Sequence, residues 1–349
     1  MIKVLIVDDS ALVRQTYRSL LESDPEIRVI GTASDPYIAV QKIQREKPDV
    51  ITLDIEMPRM DGLTFLKKIM IQAPMPVVVI SNQTLKGADV ALKALEMGAV
   101  DVMAKPNLSG ELEVEESRIV LVDKVRSAYF ARKGAGQERG PKADAVANRG
   151  SVVPRQYAAS AGTLIAIGAS TGGTDALKTF LQALPENAPP IMIVQHMPEK
   201  FTASFAKRLD DMCALTVKEA EDGEPVERNT AYIARGSYHM ALRNQNGRTL
   251  IRIYQGELVN RHRPSVNVLF NSVAEVKGKH AIGIILTGMG DDGATGMLAM
   301  HQKGAYTIAQ DEASCTVFGM PHKAILTGGV SVILPLNEIA GHVRSLLEV

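Results

Sequence analysis

The chain has 349 residues, and at roughly 100 to 200 residues per domain this length predicts two domains. Its 39 basic and 39 acidic residues give a formal net charge of zero, which argues against a strongly basic nucleic-acid binder. With 46% hydrophobic and 22% charged residues, the composition is that of a folded globular protein.

The first 125 residues alternate short β-branched runs with helix-length amphipathic stretches, the first of which begins behind Ser10, a residue type that favours helix N-caps. This alternation predicts an α/β domain with a doubly wound, five-stranded parallel sheet. The expected strands are Ile2–Val7, Ile27–Ala33, Val50–Leu53, Val77–Ile80 and Val100–Ala104.

After this region the hydrophobic pattern fails, and residues 126–160 are expected to form an interdomain linker because they are rich in Ala, Gly, Arg and Pro. Residues 161–349 resume the alternation and predict a second doubly wound α/β domain. Its expected elements are the strands Leu164–Ile167, Ile191–Val194 and Ala281–Leu286, with a helix from Asp175.

No segment reaches the roughly 18 apolar residues that a membrane span needs, so we expect no membrane insertion. The first apolar run is too short for a signal peptide and ends in Asp8 and Asp9. The two cysteines, Cys213 and Cys315, have no metal-binding or disulfide spacing. These features together predict a protein of the reducing cytoplasm.

Acidic residues follow two of the first domain's strands. Asp8 and Asp9 follow the first strand, and Asp54 follows the third. Strand ends of a parallel sheet share one edge, so these carboxylates would repel one another unless cations balance them. Lys105, after the fifth strand, and a bound Mg²⁺ would do so. Asp54 could then accept a phosphoryl group whose oxygens Ser81 would hydrogen-bond.

These residues belong to longer motifs that resemble the receiver domains of bacterial response regulators. The motifs are Val7-Asp8-Asp9-Ser10, Leu53-Asp54-Ile55-Glu56-Met57-Pro58, Asp61-Gly62 and Ala104-Lys105-Pro106. The resemblance implies a flavodoxin-like fold and phosphorylation of Asp54 by a histidine kinase. It also implies that Asp8, Asp9 and the Glu56 backbone carbonyl serve Mg²⁺, and that Lys105 and Ser81 contact the phosphoryl group.

A glycine-rich turn, Gly168-Ala169-Ser170-Thr171-Gly172-Gly173, opens the second domain after its first strand, and three interpretations compete. It could bind a dinucleotide phosphate, although Ser170 replaces the second glycine of that fingerprint. It could be the nucleophile elbow of an α/β-hydrolase, in which the acid precedes the histidine in the chain. It could also belong to a Ser-His-Asp hydrolase on another doubly wound sheet.

For the third interpretation, a histidine and an acidic residue are found after other predicted strands of the same sheet. All seven histidines lie between His196 and His342, and His196 closes a predicted strand. Asp291 and Asp292 follow another strand. His262 could contact the substrate, but a structural role is equally compatible with its position, and we leave it out of the catalytic set.

The segments around these residues, Ile167–Gly173, Gln195-His196-Met197-Pro198 and Gly288–Gly293, resemble the chemotaxis protein-glutamate methylesterases, including their fused receiver. The resemblance implies Ser170 as nucleophile, His196 as general base and Asp292 as its partner. The backbone N–H groups of Thr171 and Met289 are the oxyanion candidates. The implied substrates are methyl-accepting chemotaxis receptors, which would be demethylated at glutamates and deamidated at glutamines without a cofactor in this domain.

Two alternatives remain. A response regulator with a DNA-binding output would need a compact basic helix-turn-helix, whereas the second half is larger and nearly neutral. A general carboxylesterase for small lipophilic esters would want a broad apolar pocket, but only 4% of the residues are aromatic.

Overall fold

The computed structural model describes residues 1–57, 60–82, 84–106, 110–136 and 162–347. They form two compact units, each built around its own parallel sheet. Among these residues, no helix is both long enough and apolar enough to cross a bilayer. Cys213 and Cys315 are free thiols, and both are partly buried.

The first unit contains the predicted five-stranded parallel sheet. Its strands are β1 (Ile2–Val7), β2 (Ile27–Ala33), β3 (Val50–Asp54), β4 (Val77–Ser81) and β5 (Asp101–Ala104). They are arranged in the order β2-β1-β3-β4-β5, and every neighbouring pair is parallel. The order reverses between β1 and β3, which is where a doubly wound sheet opens a ligand-binding crevice.

Five helices cover the sheet of the first unit: α1 (Ala11–Glu22), α2 (Pro36–Arg45), α3 (Gly62–Gln72), α4 (Leu85–Glu96) and α5 (Glu111–Gly136). The Ser10 hydroxyl accepts from the Val13 N–H, which confirms the predicted N-cap of α1. Asp61 and Thr84 cap α3 and α4 in the same way. These caps start the three helices that follow β1, β3 and β4.

The helix α5 corrects the predicted boundary of the first domain, because it continues past Val125 to Gly136. Leu121, Val125 and Ala128 recur on one helical face and are fully buried. Arg126, which we expected at the start of the linker, forms ion pairs with Asp24 at 2.9 Å and with Glu26 at 2.7 Å. Residues 126–136 are therefore helical, and the rest of the expected linker, residues 137–160, lies outside the described residues.

The second unit has a seven-stranded sheet and a separate antiparallel hairpin. In chain order the strands are β6 (Leu164–Ala169), β7 (Ile191–Gln195), β8 (Thr216–Glu219), β9 (Thr230–Ile233), β10 (His239–Gln245), β11 (Arg248–Tyr254), β12 (Ala281–Ile285), β13 (Tyr306–Gln310) and β14 (Val332–Leu334). The parallel sheet has the order β14-β13-β12-β6-β7-β9-β8, and β10 pairs with β11. The predicted strands β6, β7 and β12 are its three central members. The chain winds outward in both directions from β6, so the crevice opens beside this strand.

The helices of the second unit are α6 (Gly173–Gln182), α7 (Phe201–Asp210), α8 (Val266–Val276), α9 (Ala294–Gln302), α10 (Met320–Leu326) and α11 (Leu336–Leu347). The helix expected from Asp175 begins two residues earlier, because Gly172 takes a φ of +77° and acts as its N-cap. Leu269, Phe270 and Val273 of α8 are fully buried in the core. This packing fixes the first turn of α8 next to the crevice.

Candidate functional site

The first unit brings the predicted acidic residues and the lysine together at the carboxyl edge of its sheet. The Lys105 Nζ lies 2.7 Å from Asp54 Oδ2 and 4.0 Å from Asp8 Oδ2. Carboxylate oxygens of Asp8, Asp9 and Asp54 all lie within 4.8 Å of one another. Asp8 and Asp54 are each only 1% exposed, whereas Asp9 is exposed.

Backbone N–H groups orient the two buried carboxylates. Asp8 Oδ1 accepts from the Ser10 N–H at 2.8 Å, and Asp54 Oδ1 accepts from the Glu56 N–H at 3.1 Å. Within the described part of the chain, Asp8 Oδ2 is buried without a hydrogen-bond partner. An unpartnered buried oxygen is costly, so the site has an unmet need for a cation or a donor.

The pKa values of these groups also indicate that the site lacks positive charge. Burial and the nearby charge of Asp54 raise the pKa of Asp8, and burial raises the pKa of Asp54 despite its hydrogen bond from Lys105. Although burial alone would lower it, contact with Asp54 raises the pKa of Lys105 and keeps the ammonium charged. One lysine does not balance three carboxylates, and oxygen donors at this spacing fit Mg²⁺.

The remaining predicted residues of this site lie around the cluster. The Ser81 hydroxyl is buried and donates to the Gly87 carbonyl at 3.1 Å. The Glu56 carboxylate accepts from Asn82 at 2.6 Å, whereas the Glu56 backbone lies next to Asp54. No motif in the sequence marks Tyr17 of α1, which also lies near the buried carboxylates. Its buried hydroxyl has a raised pKa because of burial and the charges of Asp8 and Asp54.

In the second unit, Ser170 and His196 directly follow the central strands β6 and β7, and Asp292 lies in the segment that follows the third central strand, β12. Ala169 of β6 pairs with Gln195 of β7, and the His196 N–H donates to the Ala169 carbonyl at 3.2 Å. The Ser170 N–H donates to the Thr287 carbonyl, just beyond β12, at 3.0 Å. All three predicted catalytic side chains are buried. The sheet thus sets Ser170 between the segments that carry the other two.

The imidazole of His196 contacts Asp292 directly, with 2.9 Å between Nε2 and Oδ2. Asp292 accepts three further hydrogen bonds: from Ser265 Oγ at 2.7 Å, from the Val266 N–H at 2.7 Å and from the Asn267 N–H at 3.0 Å. Although burial alone would raise it, the hydrogen bond from His196 lowers the pKa of Asp292. The carboxylate is therefore charged and lies at the positive N-terminal end of α8.

These contacts assign the two nitrogens of His196. A carboxylate only accepts hydrogen bonds, so Nε2 carries the proton and the lone pair of the neutral ring is on Nδ1. Nδ1 is buried and has no hydrogen-bond partner among the described residues. Ser170 and His196 directly follow the paired residues Ala169 and Gln195, and among the described contacts no hydrogen bond joins their side chains. The nitrogen available as a base is Nδ1, the opposite of the usual serine-protease arrangement.

The glycine-rich turn holds Ser170 from both sides. The Ser170 carbonyl accepts from the Gly173 N–H at 2.7 Å and from Gln195 Nε2 at 2.9 Å. A Cβ at Gly288 would lie 2.7 Å from the Ser170 Cβ, so only glycine allows this close approach. This tight strand-turn-helix geometry, with a buried histidine and carboxylate nearby, favours a hydrolase nucleophile over a dinucleotide-binding turn.

The two oxyanion candidates flank this serine. Thr171 follows it directly, and the Thr171 carbonyl accepts from Thr287 Oγ1 at 3.0 Å. Met289 follows Gly288, the residue in close approach to Ser170. The role of their N–H groups remains a prediction.

Several residues of this site were missed or undervalued by sequence reasoning. Ser265 and Asn267 belong to no recognisable motif, and neither carries a signal that would have found it. His262 was left out of the catalytic set, yet its ring stacks on His196 at 3.7 Å between centroids. Asp291, the alternative acid, is exposed and accepts from Asn260 at 3.3 Å, so the structure favours Asp292 as the partner of His196.

Comparisons with known proteins agree with the two units. Residues 165–343 match the family model described as CheB methylesterase, and residues 4–115 match the response regulator receiver domain. A protein-glutamate methylesterase/protein-glutamine glutaminase of Geobacter metallireducens is 52% identical, and the alignment covers 99% of each chain. One from Leptospira interrogans is 51% identical, also over 99% of each chain.

A solved structure supports the same assignment for the second unit. The crystal structure of the Thermotoga maritima CheB methylesterase catalytic domain is 41% identical, with a TM-score of 0.53, and it covers 54% of this chain and 100% of that chain. Together with the full-length relatives, this match shows that the chain belongs to the CheB methylesterase family and carries a response regulator receiver domain as its first unit.

Proposed function

We infer that this protein is a phosphorylation-regulated protein-glutamate methylesterase and protein-glutamine glutaminase of bacterial chemotaxis. Its substrates are the methyl-accepting receptors, from which it removes methyl esters at glutamates and whose selected glutamines it deamidates. The observation that carries the proposal is the buried His196–Asp292 pair, 2.9 Å apart, beyond the carboxyl ends of the central strands that flank β6 and Ser170.

Ester cleavage proceeds through a serine acyl-enzyme in this proposal. The Ser170 Oγ attacks the ester carbonyl while His196 Nδ1 takes its proton, and Asp292 holds the imidazolium through Nε2. His196 then returns the proton to the departing methoxide, and methanol leaves. A water molecule, deprotonated by the same nitrogen, hydrolyses the acyl-enzyme and releases the glutamate carboxylate and free Ser170.

The tetrahedral intermediate carries a negative oxygen that needs fixed donors. The N–H groups of Thr171 and Met289 are the proposed donors, since both flank Ser170 and preformed donors of this kind stabilise acyl-transfer transition states. An amide passes through the same type of intermediate, with ammonia as the leaving group. One site can therefore act on both glutamate methyl esters and glutamines.

The first unit is the proposed phosphoryl acceptor. Asp54 would take the phosphoryl group from a chemotaxis histidine kinase, and Lys105 and Ser81 would contact the phosphoryl oxygens. Asp8, Asp9, Asp54 and the Glu56 carbonyl would hold Mg²⁺, which supplies positive charge against the incoming phosphoryl group when it is bound. Asp8 Oδ2, which has no hydrogen-bond partner among the described residues, and the raised pKa values of Asp8 and Asp54 support this assignment.

We place the protein in the cytoplasm, recruited to receptor arrays at the membrane, with the kinase and the receptors as its partners. The family membership gives no support to the two alternatives, a DNA-binding output and a general small-ester carboxylesterase. A DNA-binding output would show salt-dependent binding to random DNA, which we expect to be negligible.

The test is the release of methanol from methylated receptors and of ammonia from receptor glutamines. Replacement of the nucleophile, Ser170→Ala, should lower both rates by several orders of magnitude, because the remaining groups alone give little catalysis. Thermal unfolding should change little, since the Ser170 contacts described above are made by its backbone. If the variant kept most of either activity, Ser170 would not be the nucleophile of that reaction.

A further inference from the structure

The ring of His262 lies flat against the ring of the proposed base, His196. Their centroids are 3.7 Å apart and their planes differ by only 9°. Resting on the proposed function above, we propose that His262 is a positioning residue that fixes the plane of the His196 imidazole and so keeps Nδ1 directed for proton transfer from Ser170.

The need for such a residue follows from how few contacts hold the base. The hydrogen bond from Nε2 to Asp292 fixes one atom of the ring. Nδ1 has no partner among the described residues, so the Nε2–Asp292 hydrogen bond is the one polar contact of the described ring atoms that opposes rotation about the Cβ–Cγ bond. A flat neighbour restricts this rotation, because tilting the ring would either open the stack or bring atoms into collision.

The same three residues offer nitrogen and oxygen atoms within 4.8 Å of one another, which raises the possibility of a metal site. Stacked imidazoles, however, carry their lone pairs in two parallel planes, whereas a tetrahedral metal needs ligands that converge on one point. Both oxygens of Asp292 already accept from Ser265 or from backbone N–H groups. The geometry therefore fits ring positioning better than metal binding.

His262 is itself held by a tight two-residue turn. Val259 and His262 exchange both backbone hydrogen bonds, at 3.0 and 3.1 Å, and the residues between them, Asn260 and Arg261, have φ values of +50° and +65°. Asparagine tolerates this conformation, but it strains an arginine. The turn keeps this strained backbone and places His262 against His196, and strain retained next to a reacting group is typical of functional sites.

Side-chain contacts tie this turn to the residues that hold Asp292. The Asn260 Oδ1 accepts from Asn267 Nδ2 at 2.9 Å, and the Asn267 N–H donates to Asp292 Oδ1 at 3.0 Å. His262 Nδ1 lies 2.6 Å from the Asn260 carbonyl and must donate to it, so this nitrogen carries a proton and cannot act as a base. Hydrogen bonds and ring stacking thus connect His196, Asp292 and His262 with one another.

The test compares three full-length variants in the methanol-release assay, with the receptor concentration varied. His262→Ala removes the stacking ring and should lower kcat roughly 10- to 100-fold while KM changes little, because misplacing a reacting group by about 1 Å has effects of this size. His262→Phe keeps a flat ring without titratable nitrogens and should retain at least about a third of the wild-type kcat, with the same dependence of kcat/KM on pH.

The matched control is His342→Ala. His342 also has a ring contact, with Tyr306 at 5.6 Å, but that contact lies at the amino end of β13, the opposite edge of the sheet. Its kcat should equal that of the wild type. Thermal unfolding of all three variants separates misfolding from lost positioning.

Two results would overturn the inference while leaving the proposed function intact: a folded His262→Ala with wild-type kcat, or a His262→Phe as slow as His262→Ala. The second would mean that a nitrogen of His262, not its plane, matters. If the wild-type protein released no methanol, the proposed function would fail and the inference with it.

Discussion

Replacement of Asp292 is the sharpest test of the proposed catalytic residues, because it shows whether this carboxylate is the partner of His196. The change Asp292→Asn keeps the size and shape of the side chain but replaces one acceptor oxygen by an NH₂ donor. In the wild-type protein, Oδ2 accepts from His196 Nε2 and the Val266 N–H, and Oδ1 accepts from Ser265 and Asn267. An amide can satisfy the Oδ1 pair, but at the Oδ2 position it would point its own donor at two donors.

The loss of stability follows from this count. Neutral His196 can switch its tautomer and accept from the amide, so the hydrogen bond from the Val266 N–H is the one that is lost. A hydrogen bond to a charged group is worth about 1.5 to 3 kcal/mol, so the second unit should be less stable by about that amount. For a domain of this size about 2 to 4 °C is lost per kcal/mol, which predicts a fall in Tm of roughly 3 to 12 °C.

The loss of activity has a different origin. The amide NH₂ would donate to Nε2 and force the proton of neutral His196 onto Nδ1, which then has no lone pair for the Ser170 proton. A wrong tautomer of this kind lowers kcat about 10⁴-fold. Methanol release should therefore almost vanish at a temperature well below the unfolding of the variant.

The matched control is Asp291→Asn at the neighbouring position. Asp291 is exposed and only accepts from Asn260 at 3.3 Å, so its replacement should change stability by no more than about 0.5 kcal/mol and leave methanol release close to that of the wild type. Circular dichroism shows that each variant is folded at the assay temperature. A folded Asp292→Asn within tenfold of the wild-type rate, or a larger loss in Asp291→Asn, would refute this assignment of the acid.

Three further predictions concern the acceptor site and the packing around the nucleophile. Asp54→Ala should abolish labelling by acetyl phosphate, and wild-type labelling should stop when Mg²⁺ is chelated; label that survives either treatment would exclude Asp54 or the metal. Asp8→Asn should raise Tm at pH 7 without Mg²⁺, since burial and the Asp54 charge raise the pKa of Asp8 and make its ionised form unfavourable. The folded wild-type protein holds this proton more tightly than the unfolded chain, so its own stabilisation is full below the ordinary value of 3.8 and is lost as the pH rises. The advantage of Asp8→Asn should accordingly shrink on acidification, and an advantage that grew would contradict the sign. Gly288→Ala should reduce methanol release and stability together, because its Cβ would lie 2.7 Å from the Ser170 Cβ, and a variant with full activity would show that this approach is not needed.

The sheets and their strand ends could be predicted because buried parallel strands are short, continuous apolar runs that stop at polar residues. Asp8, Asp54, Ser170 and His196 each stand at such a stop, so the sequence places them at a shared edge without any tertiary information. The edge strands β8 and β14 escaped prediction because they are short and only partly buried.

Other features depend on contacts between distant parts of the chain. The orientation of His196, with Nε2 rather than Nδ1 towards Asp292, is set by the first turn of α8, about 70 residues further along. His262 contacts the same ring because the preceding turn has positive φ values, which no local sequence pattern predicts. The true end of α5 was missed because its buried face is continued by Ala128, a residue too small to mark a hydrophobic period.

The central claim is that phosphorylation of the first unit controls ester hydrolysis in the second. The direct measurement is methanol release from methylated receptors by the full-length protein, before and after addition of acetyl phosphate and Mg²⁺, with Asp54→Ala assayed in parallel. We expect the wild-type rate to rise by roughly 5- to 150-fold, which is the effect of a typical coupling free energy between two sites. The Asp54→Ala rate should stay constant. An equal wild-type rate before and after addition, or an equal rise in Asp54→Ala, would contradict the account.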